Sequence, residues 1–197
     1  MLSAVAFSQE PPTATFGTTV ASSSGFRGDI FVIEPHTEEL PSFRRMRAVG
    51  AIYTTALHVP ERSFLSGFPG ITDRFEWFAI DYRGRFWVET PGQYRFRLLS
   101  DDGSKLYVND KLVVDNDGLH APLAVEGSGY LTRGVHTMRV SYYQGPGVTV
   151  ALILSVKPPA AAEWEIFDTN TFKPPPDPAE WTPGRIRDIK RGTGWRP

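Results

Sequence analysis

The 197-residue sequence contains no cysteine, so disulfide bonds and thiolate metal sites are both excluded. No run approaches the roughly 18 consecutive apolar residues that a membrane-spanning helix needs. With 21 basic and 22 acidic residues the net charge is only -1, which gives no excess of one sign to favour nucleic acid or an acidic membrane as partner. Catalytic Gly-x-Ser-x-Gly and phosphate-binding glycine motifs are absent as well.

Proline and glycine are abundant instead, at 17 and 18 residues, which predicts many turns and few long helices. The composition divides the chain into three zones: residues 1–25, 26–157 and 158–197. The first begins MLSAVAFSQE, where small residues Ala4 and Ala6 have the spacing of a signal-peptide cleavage site. We interpret it as a signal-peptide remnant and an extended segment, with an ordinary disordered N-terminus as the alternative. The third is a proline-rich, basic extension, and residues 174–197 are predicted to form an extended tail.

The central zone reads as a series of short strands. Apolar and polar residues alternate in 92–98 and again in 136–142, as in strands with one buried face. Residues 148–156 form a longer β-branched run that is typical of a central strand. These strands, separated by turn signals, predict an all-β, antiparallel sandwich with extended ends.

Three local predictions accompany this architecture. Asn109-Asp110 joins 105–108 to 111–114 as a two-residue hairpin turn. Arg83-Gly84-Arg85 joins 77–82 to 86–88 as a second hairpin. Residues 41–49 have apolar side chains at a period of three, which favours a short helix.

The most informative stretch is Asp101-Asp102-Gly103, which lies between two predicted strands. Two adjacent carboxylates at a strand end repel each other, and a bound cation would relieve that repulsion. Oxygen ligands on a loop favour a hard ion, Ca²⁺ before Mg²⁺. The alternative is an ordinary solvated turn.

Four ordered segments resemble the PA14 domain family. Residues 100–120 (SDDGSKLYVNDKLVVDNDGLH) are similar to the family's central signature, and 90–96 to the strand that enters it. Residues 75–84 resemble the upstream strand pair, and 134–147 the closing strand and its loop. Together they cover roughly 48–157, so the chain is identified as a PA14-type β-sandwich like those of adhesins, toxins, fibre-type surface proteins and glycosidase insertions.

This resemblance also implies a binding site. In the sugar-binding members two adjacent aspartates joined by a cis peptide hold Ca²⁺, and Asp101 and Asp102 match that pair by position. Gln144 and Gly145 match the loop whose amide side chain and backbone carbonyls complete the coordination shell. The ion would bind vicinal sugar hydroxyls, and Tyr143, which points away from Tyr142 along the strand, is a candidate stacking face; a surface tyrosine without a ligand is its alternative.

Other polar residues give weaker signals. Residues 115–118 (Asp-Asn-Asp-Gly) are either a second ion site or, as we favour, a turn whose side chains bond to nearby backbone. The four histidines lack metal-ligand spacing and are predicted to be structural or superficial. Glu76, Asp81 and Glu126 have no spacing that suggests a glycosidase pair, so no catalytic activity is expected.

Three functions follow as hypotheses. The first is a secreted or cell-surface bacterial module that binds glycan or polysaccharide through Ca²⁺. The second is a structural subunit of an extracellular fibre or envelope assembly, in which residues 11–24 add a strand to a neighbour's sheet and the proline-rich tail lies along a partner. The third is an accessory role beside a catalytic chain.

Overall fold

A computed structural model describes residues 25–71 and 74–194 of the protein. The described residues form an all-β structure whose helical turns are all of the 3₁₀ type. No helix among them has the length and apolar character required to cross a bilayer. The N-terminal zone of the sequence, including residues 11–24, lies outside the described residues.

Thirteen strands lie in the described residues. Their bounds are β1 Phe26–Val32, β2 Gly50–Thr54, β3 His58–Ser63, β4 Phe78–Val88, β5 Gly92–Asp101, β6 Ser104–Val108, β7 Lys111–Asn116, β8 Leu123–Leu131, β9 Gly134–Gln144, β10 Thr149–Lys157, β11 Glu165–Ile166, β12 Ile186–Lys190 and β13 Gly192–Thr193. Short 3₁₀ helices span Phe43–Arg45, Phe64–Ser66 and Pro178–Glu180. The predicted antiparallel sandwich is confirmed.

The strands divide between two sheets. The seven-stranded sheet has the order β13-β7-β6-β9-β4-β1-β2, and the six-stranded sheet has the order β11-β10-β5-β8-β12, with β3 also paired to β10. Among residues 25–71 and 74–194, the pairings between these strands are antiparallel except that of β13 with β7. Thus β9 lies at the centre of one sheet and β10 and β5 at the centre of the other.

The core lies between the sheets, where alternate residues of each strand point inward. Tyr94, Phe96 and Leu98 of β5 are buried, as their alternation predicts. Met138, Val140 and Tyr142 of β9 face them from the other sheet and are equally buried. The sequence pattern therefore locates the core strands and their inward faces correctly.

The predicted hairpin at Asn109-Asp110 is confirmed. Both residues have positive φ, 48° and 59°, and they join β6 to β7. Asparagine and aspartate tolerate this region of backbone space better than other non-glycine residues, and it is the conformation that a tight two-residue turn requires.

The second predicted hairpin is wrong, because residues 83–85 lie inside the continuous strand β4. Gly84 does not turn the chain. A side chain there would meet the ring of Phe26 on the neighbouring strand, so glycine serves close approach between strands.

The predicted helix at 41–49 is also wrong. Only Phe43–Arg45 makes a single 3₁₀ turn, in which side chains three apart lie above one another. Phe43 and Met46, which produced the period of three, pack together against a small cluster around Ile33 and Tyr143.

The C-terminal extension is part of the domain and is not a free tail. Phe167 is completely buried in the core and stacks against Phe172, with ring centroids 5.0 Å apart. Strand β12 pairs with β8 in one sheet and β13 with β7 in the other, so the last ten described residues connect the two sheets. The prolines of this segment do not prevent docking, because Pro178 occupies the first turn of a 3₁₀ helix capped by Asp177.

Candidate functional site

The Asp-Asp pair lies where β5 ends and β6 begins, and the peptide bond between Asp101 and Asp102 is cis. Both side chains are buried, with 5% and 3% of their surface exposed. They are therefore not part of a solvated turn. Two acidic groups in this position need donors or a cation from the surrounding strands.

Asp101 contacts the two central strands. Its carboxylate accepts a hydrogen bond from the hydroxyl of Thr149, the first residue of β10, and its main-chain oxygen accepts one from the Tyr142 hydroxyl at 2.8 Å. Burial raises the pKa of Asp101, although the Thr149 hydroxyl opposes the rise.

Asp102 is held by two main-chain N–H groups and one side-chain amide. Its Oδ2 accepts hydrogen bonds from the Gly145 N–H at 2.8 Å and from Gln144 Nε2 at 3.2 Å, while Oδ1 accepts the His120 N–H at 3.2 Å. Burial raises the pKa of Asp102 to about 6, and the Asp101 carboxylate adds to this, whereas the Gly145 and His120 N–H groups lower it. Ionising this carboxylate therefore costs free energy unless a further positive charge is present.

Gln144 ends β9 and is fully buried beside the aspartates, so the structure brings together the residues that the resemblance selected. The Tyr142 hydroxyl lies 2.6 Å from Gln144 Oε1 and 2.8 Å from the Asp101 main-chain oxygen. A phenol has one proton and cannot donate to two acceptors. Exchanging the amide oxygen and nitrogen of Gln144 lets the amide donate to Tyr142 and Tyr142 donate to Asp101. The same exchange places Oε1 against Asp102 Oδ2 and the Thr149 carbonyl, where only a cation would make three neighbouring oxygens favourable.

The predicted role of Tyr143 as a stacking face is wrong. Its ring does point away from Tyr142, but it is completely buried against Ile33 and Ala79 under the 33–46 segment. Its hydroxyl donates to the Glu38 main-chain oxygen at 2.6 Å. Strand alternation gave its direction correctly but could not show that a distant segment covers that face of the sheet.

Trp77 is a site residue that the sequence analysis used only as part of a family strand. Its N–H donates to the Gln144 carbonyl at 2.8 Å, and its indole lies next to Gly145. Leu119 also lies next to this glycine and is 43% exposed. Trp77 immediately precedes β4 and has a positive φ of 59°, and its local sequence carries no signal for the contact with Gly145.

Residues 115–118 have structural roles. Asp117 accepts from Lys105 Nζ at 2.5 Å and from the main-chain N–H groups of Leu40 and Gly118. Asn116 is buried and donates to Ser100 Oγ and to the Leu123 carbonyl at 3.0 Å each. These contacts support the turn interpretation over a second ion site.

The histidines and remaining carboxylates do not gather into a site. His120 and His136 bond to main-chain oxygens, at Asn116 and Thr132 respectively. Asp81 lies in the seven-stranded sheet, while Glu126 pairs with arginines of the six-stranded sheet. Within the described part of the chain, no group of three or more His, Asp or Glu side chains could hold a metal ion. An ion at the Asp pair would therefore need amide, carbonyl, hydroxyl or water ligands.

Comparison with known proteins identifies the family. The PA14 domain family model matches residues 55–170. Among solved structures, the PA14 domain of the MpAFP antifreeze protein superposes with a TM-score of 0.63 at 16% identity, covering 84% of this chain and 94% of that one. The PA14 sugar-binding domain of an RTX adhesin gives 0.60 at 18% identity, with 76% and 97% covered.

A fungal relative has the same fold. The A domain of epithelial adhesin 9 from Candida glabrata, solved with Galβ1-3GlcNAc, gives a TM-score of 0.56 at 13% identity, covering 83% of this chain and 95% of that one. No curated protein matches the sequence significantly. The family match runs past residue 157, in agreement with the buried position of Phe167. The chain belongs to the PA14 domain family.

Proposed function

We propose that this domain binds carbohydrate through a Ca²⁺ ion held by Asp101 and Asp102, and that it acts outside the cell as a non-catalytic module. The observation that carries the proposal is the convergence of two buried carboxylates with the Gln144 amide at the end of β9. The charge of the Asp pair is met in the described residues by hydrogen-bond donors alone, and a divalent cation would compensate it more fully.

The donor chemistry fits calcium. With the Gln144 amide reversed, Oε1 joins the carboxylates of Asp101 and Asp102 as a third oxygen. Such oxygens lie close together without repulsion when they share a cation, and Ca²⁺ takes six to eight of them. The predicted main-chain ligand at Gly145 stays a prediction, since the described contact of that residue is its N–H to Asp102.

The bound ion would neutralise the Asp pair and offer free coordination positions to a vicinal diol. This chain's own residues would then shape the contact with the sugar. Trp77 takes the place of Tyr143 as the proposed apolar face, because it is partly exposed and adjoins Gly145. Aromatic faces pack well against the C–H faces of sugar rings because both are apolar. Affinity per site is expected to be weak, and multivalent display would strengthen it.

The comparisons lend support to carbohydrate as the ligand class. One structural relative is a sugar-binding domain of an adhesin, and another was solved with a disaccharide. Adhesins act at cell surfaces, which is consistent with the export predicted from residues 1–10. The identities of 18% and 13% relate the folds, and the ligand assignment is our proposal.

Calorimetric titration of the calcium-free full-length protein tests the metal site. We expect one Ca²⁺ per chain and a rise in melting temperature, because a ligand bound by the native state alone stabilises that state. Asp101→Asn and Asp102→Asn should each abolish the heat signal and the rise. Asp188→Asn is the matched control, since Asp188 is exposed, has a positive φ that asparagine accepts, and lies far along the chain from the pair.

A glycan array with and without Ca²⁺ tests the ligand. Binding that requires Ca²⁺ and disappears in the Asp102→Asn variant supports the proposal. Calcium binding without any calcium-dependent glycan signal would reduce the site to a structural ion. Absence of calcium binding in the wild type would overturn the metal assignment.

The fibre-subunit alternative has lost one of its two motivations. The proline-rich C-terminal segment pairs with strands of its own domain, so it is not a free arm. Residues 11–24, the other motivation, lie outside the described residues, and their role in self-assembly stays a prediction. Light scattering of the full-length and N-terminally trimmed proteins at high concentration tests it, and a monomer in both forms would contradict it.

A further inference from the structure

A row of three arginines crosses the outer face of the seven-stranded sheet. Arg27 of β1 lies directly opposite Arg83 of β4, and Arg83 lies directly opposite Arg139 of β9. A tyrosine stands at each end, with Tyr53 opposite Arg27 and Tyr107 opposite Arg139. Neighbouring strands lie about 4.8 Å apart, so the three arginine positions span about 10 Å and the five positions, with both tyrosines, span about 19 Å. We call these five residues the arginine row.

Like charges directly opposite on neighbouring strands destabilise a sheet. The row places three of them side by side on adjacent strands. The side chains of Arg27, Arg83 and Arg139 are 59%, 63% and 35% exposed. Asp29 and Asp81 in the next row pair with these arginines and offset part of the repulsion. Three exposed guanidinium groups still outnumber these two carboxylates, so the row carries a surplus of positive charge that a ligand of opposite charge would neutralise.

The guanidinium groups are held in place by neighbours in the next row. Arg27 Nε donates to Asp29 at 2.9 Å, and Arg83 Nε donates to Asp81 at 2.8 Å. Arg139 lies over the ring of Tyr107, 4.0 Å from its centroid, and its Nε forms a longer ion pair with Asp81 at 3.9 Å. The ion pairs hold all three side chains in place, while at least 35% of each side chain stays exposed to a ligand.

The row borders a surface groove with a volume of about 580 Å³. Its lining contains four arginines, the fourth being Arg85, and a single carboxylate, Asp110. No described residue forms an ion pair or hydrogen bond with the exposed Arg85 side chain. The groove is therefore locally cationic on a protein whose net charge is -1.

We propose that the arginine row is a second binding site, which takes an acidic polysaccharide by its carboxylate or sulfate groups. Arginine forks bind such groups bidentately, and the exposed ring of Tyr53 offers a face to a sugar ring. A linear chain crossing the strands would meet the three arginines in turn. A nucleic acid suits the site less well, because Asp29 and Asp81 line the next row and the whole molecule carries no positive excess.

This site is distinct from the Asp pair. Arg139 points outward from β9, whereas Tyr142 and Gln144 point toward the Asp pair, about 17 Å further along the strand. Binding at the row needs no calcium. The two proposals can therefore fail independently of each other.

Affinity electrophoresis of the full-length protein in EDTA provides the test. Gels containing polygalacturonate or dextran sulfate should retard the protein, while neutral dextran should not, and the two polyanions distinguish carboxylate from sulfate recognition. Arg83→Gln should weaken binding by at least about tenfold, and Arg83→Lys should recover only part of it because lysine lacks the fork. Arg187→Gln, the same charge change at a 64% exposed residue of the other sheet, should have no effect.

Two controls separate the remaining explanations. Asp102→Asn, which removes the proposed calcium site, should retain polyanion binding in full. Melting temperatures of the arginine variants show whether the fold is intact, and Arg27→Gln provides a second variant should Arg83→Gln unfold. Equal retardation of Arg83→Gln, Arg27→Gln and Arg187→Gln would overturn the proposal, as would tighter binding of single-stranded DNA than of either polysaccharide.

Discussion

At the scale of single residues, the candidate site consists of two buried carboxylates and one buried amide, contributed by the end of β5, the residue after it and the end of β9. Asp101, Asp102 and Gln144 were predicted together from ordered motifs, and they do converge. Tyr143 was placed on the correct face of β9, yet burial beneath residues 33–46 was not predictable because that contact joins segments about a hundred positions apart. Trp77 was missed for the same reason.

The raised pKa of Asp102 makes calcium binding depend on pH. Its pKa of about 6 means that the carboxylate is largely protonated at about pH 5 and largely ionised at about pH 7.5. Calcium must displace the proton at the lower pH, so we expect the apparent calcium affinity to be about tenfold weaker at about pH 5 than at about pH 7.5. Calorimetry in buffers of matched ionic strength measures this difference. Equal affinity at both would contradict the role of Asp102 as a ligand.

The calcium-free protein should show the opposite trend in stability. Because burial raises the Asp102 pKa above its unfolded value, the native state binds this proton more tightly. This contribution to the free energy of unfolding is present in full below about pH 4 and is lost as the pH rises through about 6. Denaturant titrations of the calcium-free wild type should therefore give a lower free energy of unfolding at about pH 7.5 than at about pH 5, as far as this group contributes. In the Asp102→Asn variant, the change between these two pH values should lack this contribution.

At the scale of elements, the alternating strands and the Asn109-Asp110 hairpin followed from the sequence because period-two burial and turn chemistry are local. The 83–85 hairpin did not, because a glycine inside a strand and a glycine in a turn have the same local signature. The docked strands β12 and β13 were missed because residues 186–193 lack strong alternation and acquire their pairing from β8 and β7.

Gly192 controls the docking of β13. An added side chain there would collide with the main-chain carbonyl of Glu126 on β8, which cannot move aside as a flexible side chain could. We expect Gly192→Ala to loosen the end of the chain and to speed tryptic cleavage at Lys190 and Arg191. Gly147→Ala is the control, since its added atom would meet nothing closer than 3.7 Å. Mass spectrometry measures the cleavage rates, and equal rates for the Gly192→Ala and Gly147→Ala variants would contradict this role.

At the scale of the whole molecule, the domain is larger than the sequence suggested. The sequence predicts a sandwich that ends at residue 157, yet Phe167 is fully buried among Phe26, Phe86 and Phe172. Compositional zones describe where prolines and charges accumulate, and a proline-rich segment can still dock when its few apolar residues find the core. The fold class itself was predictable, because it depends on many strands and not on any one boundary.

Truncation after residue 157 should therefore impair folding of the domain. It removes Phe167, whose loss alone is expected to cost about 3–5 kcal/mol of the free energy of unfolding, together with β11, β12 and β13. A truncation after residue 194 should melt like the full chain. Circular dichroism during thermal unfolding distinguishes the two, and a cooperative, unshifted transition for the shorter form would show that the C-terminal segment is dispensable.

The position of β12 and β13 has a consequence for how molecules of this protein meet one another. Without these two strands, β8 and β7 would be the edges of their sheets, with unpaired N–H and C=O groups open to edge-to-edge aggregation. The C-terminal strands cover both edges on the same side of the sandwich. They also supply pairing that a second copy could donate equally well, so detachment of this segment at high concentration would favour exchange of strands between molecules.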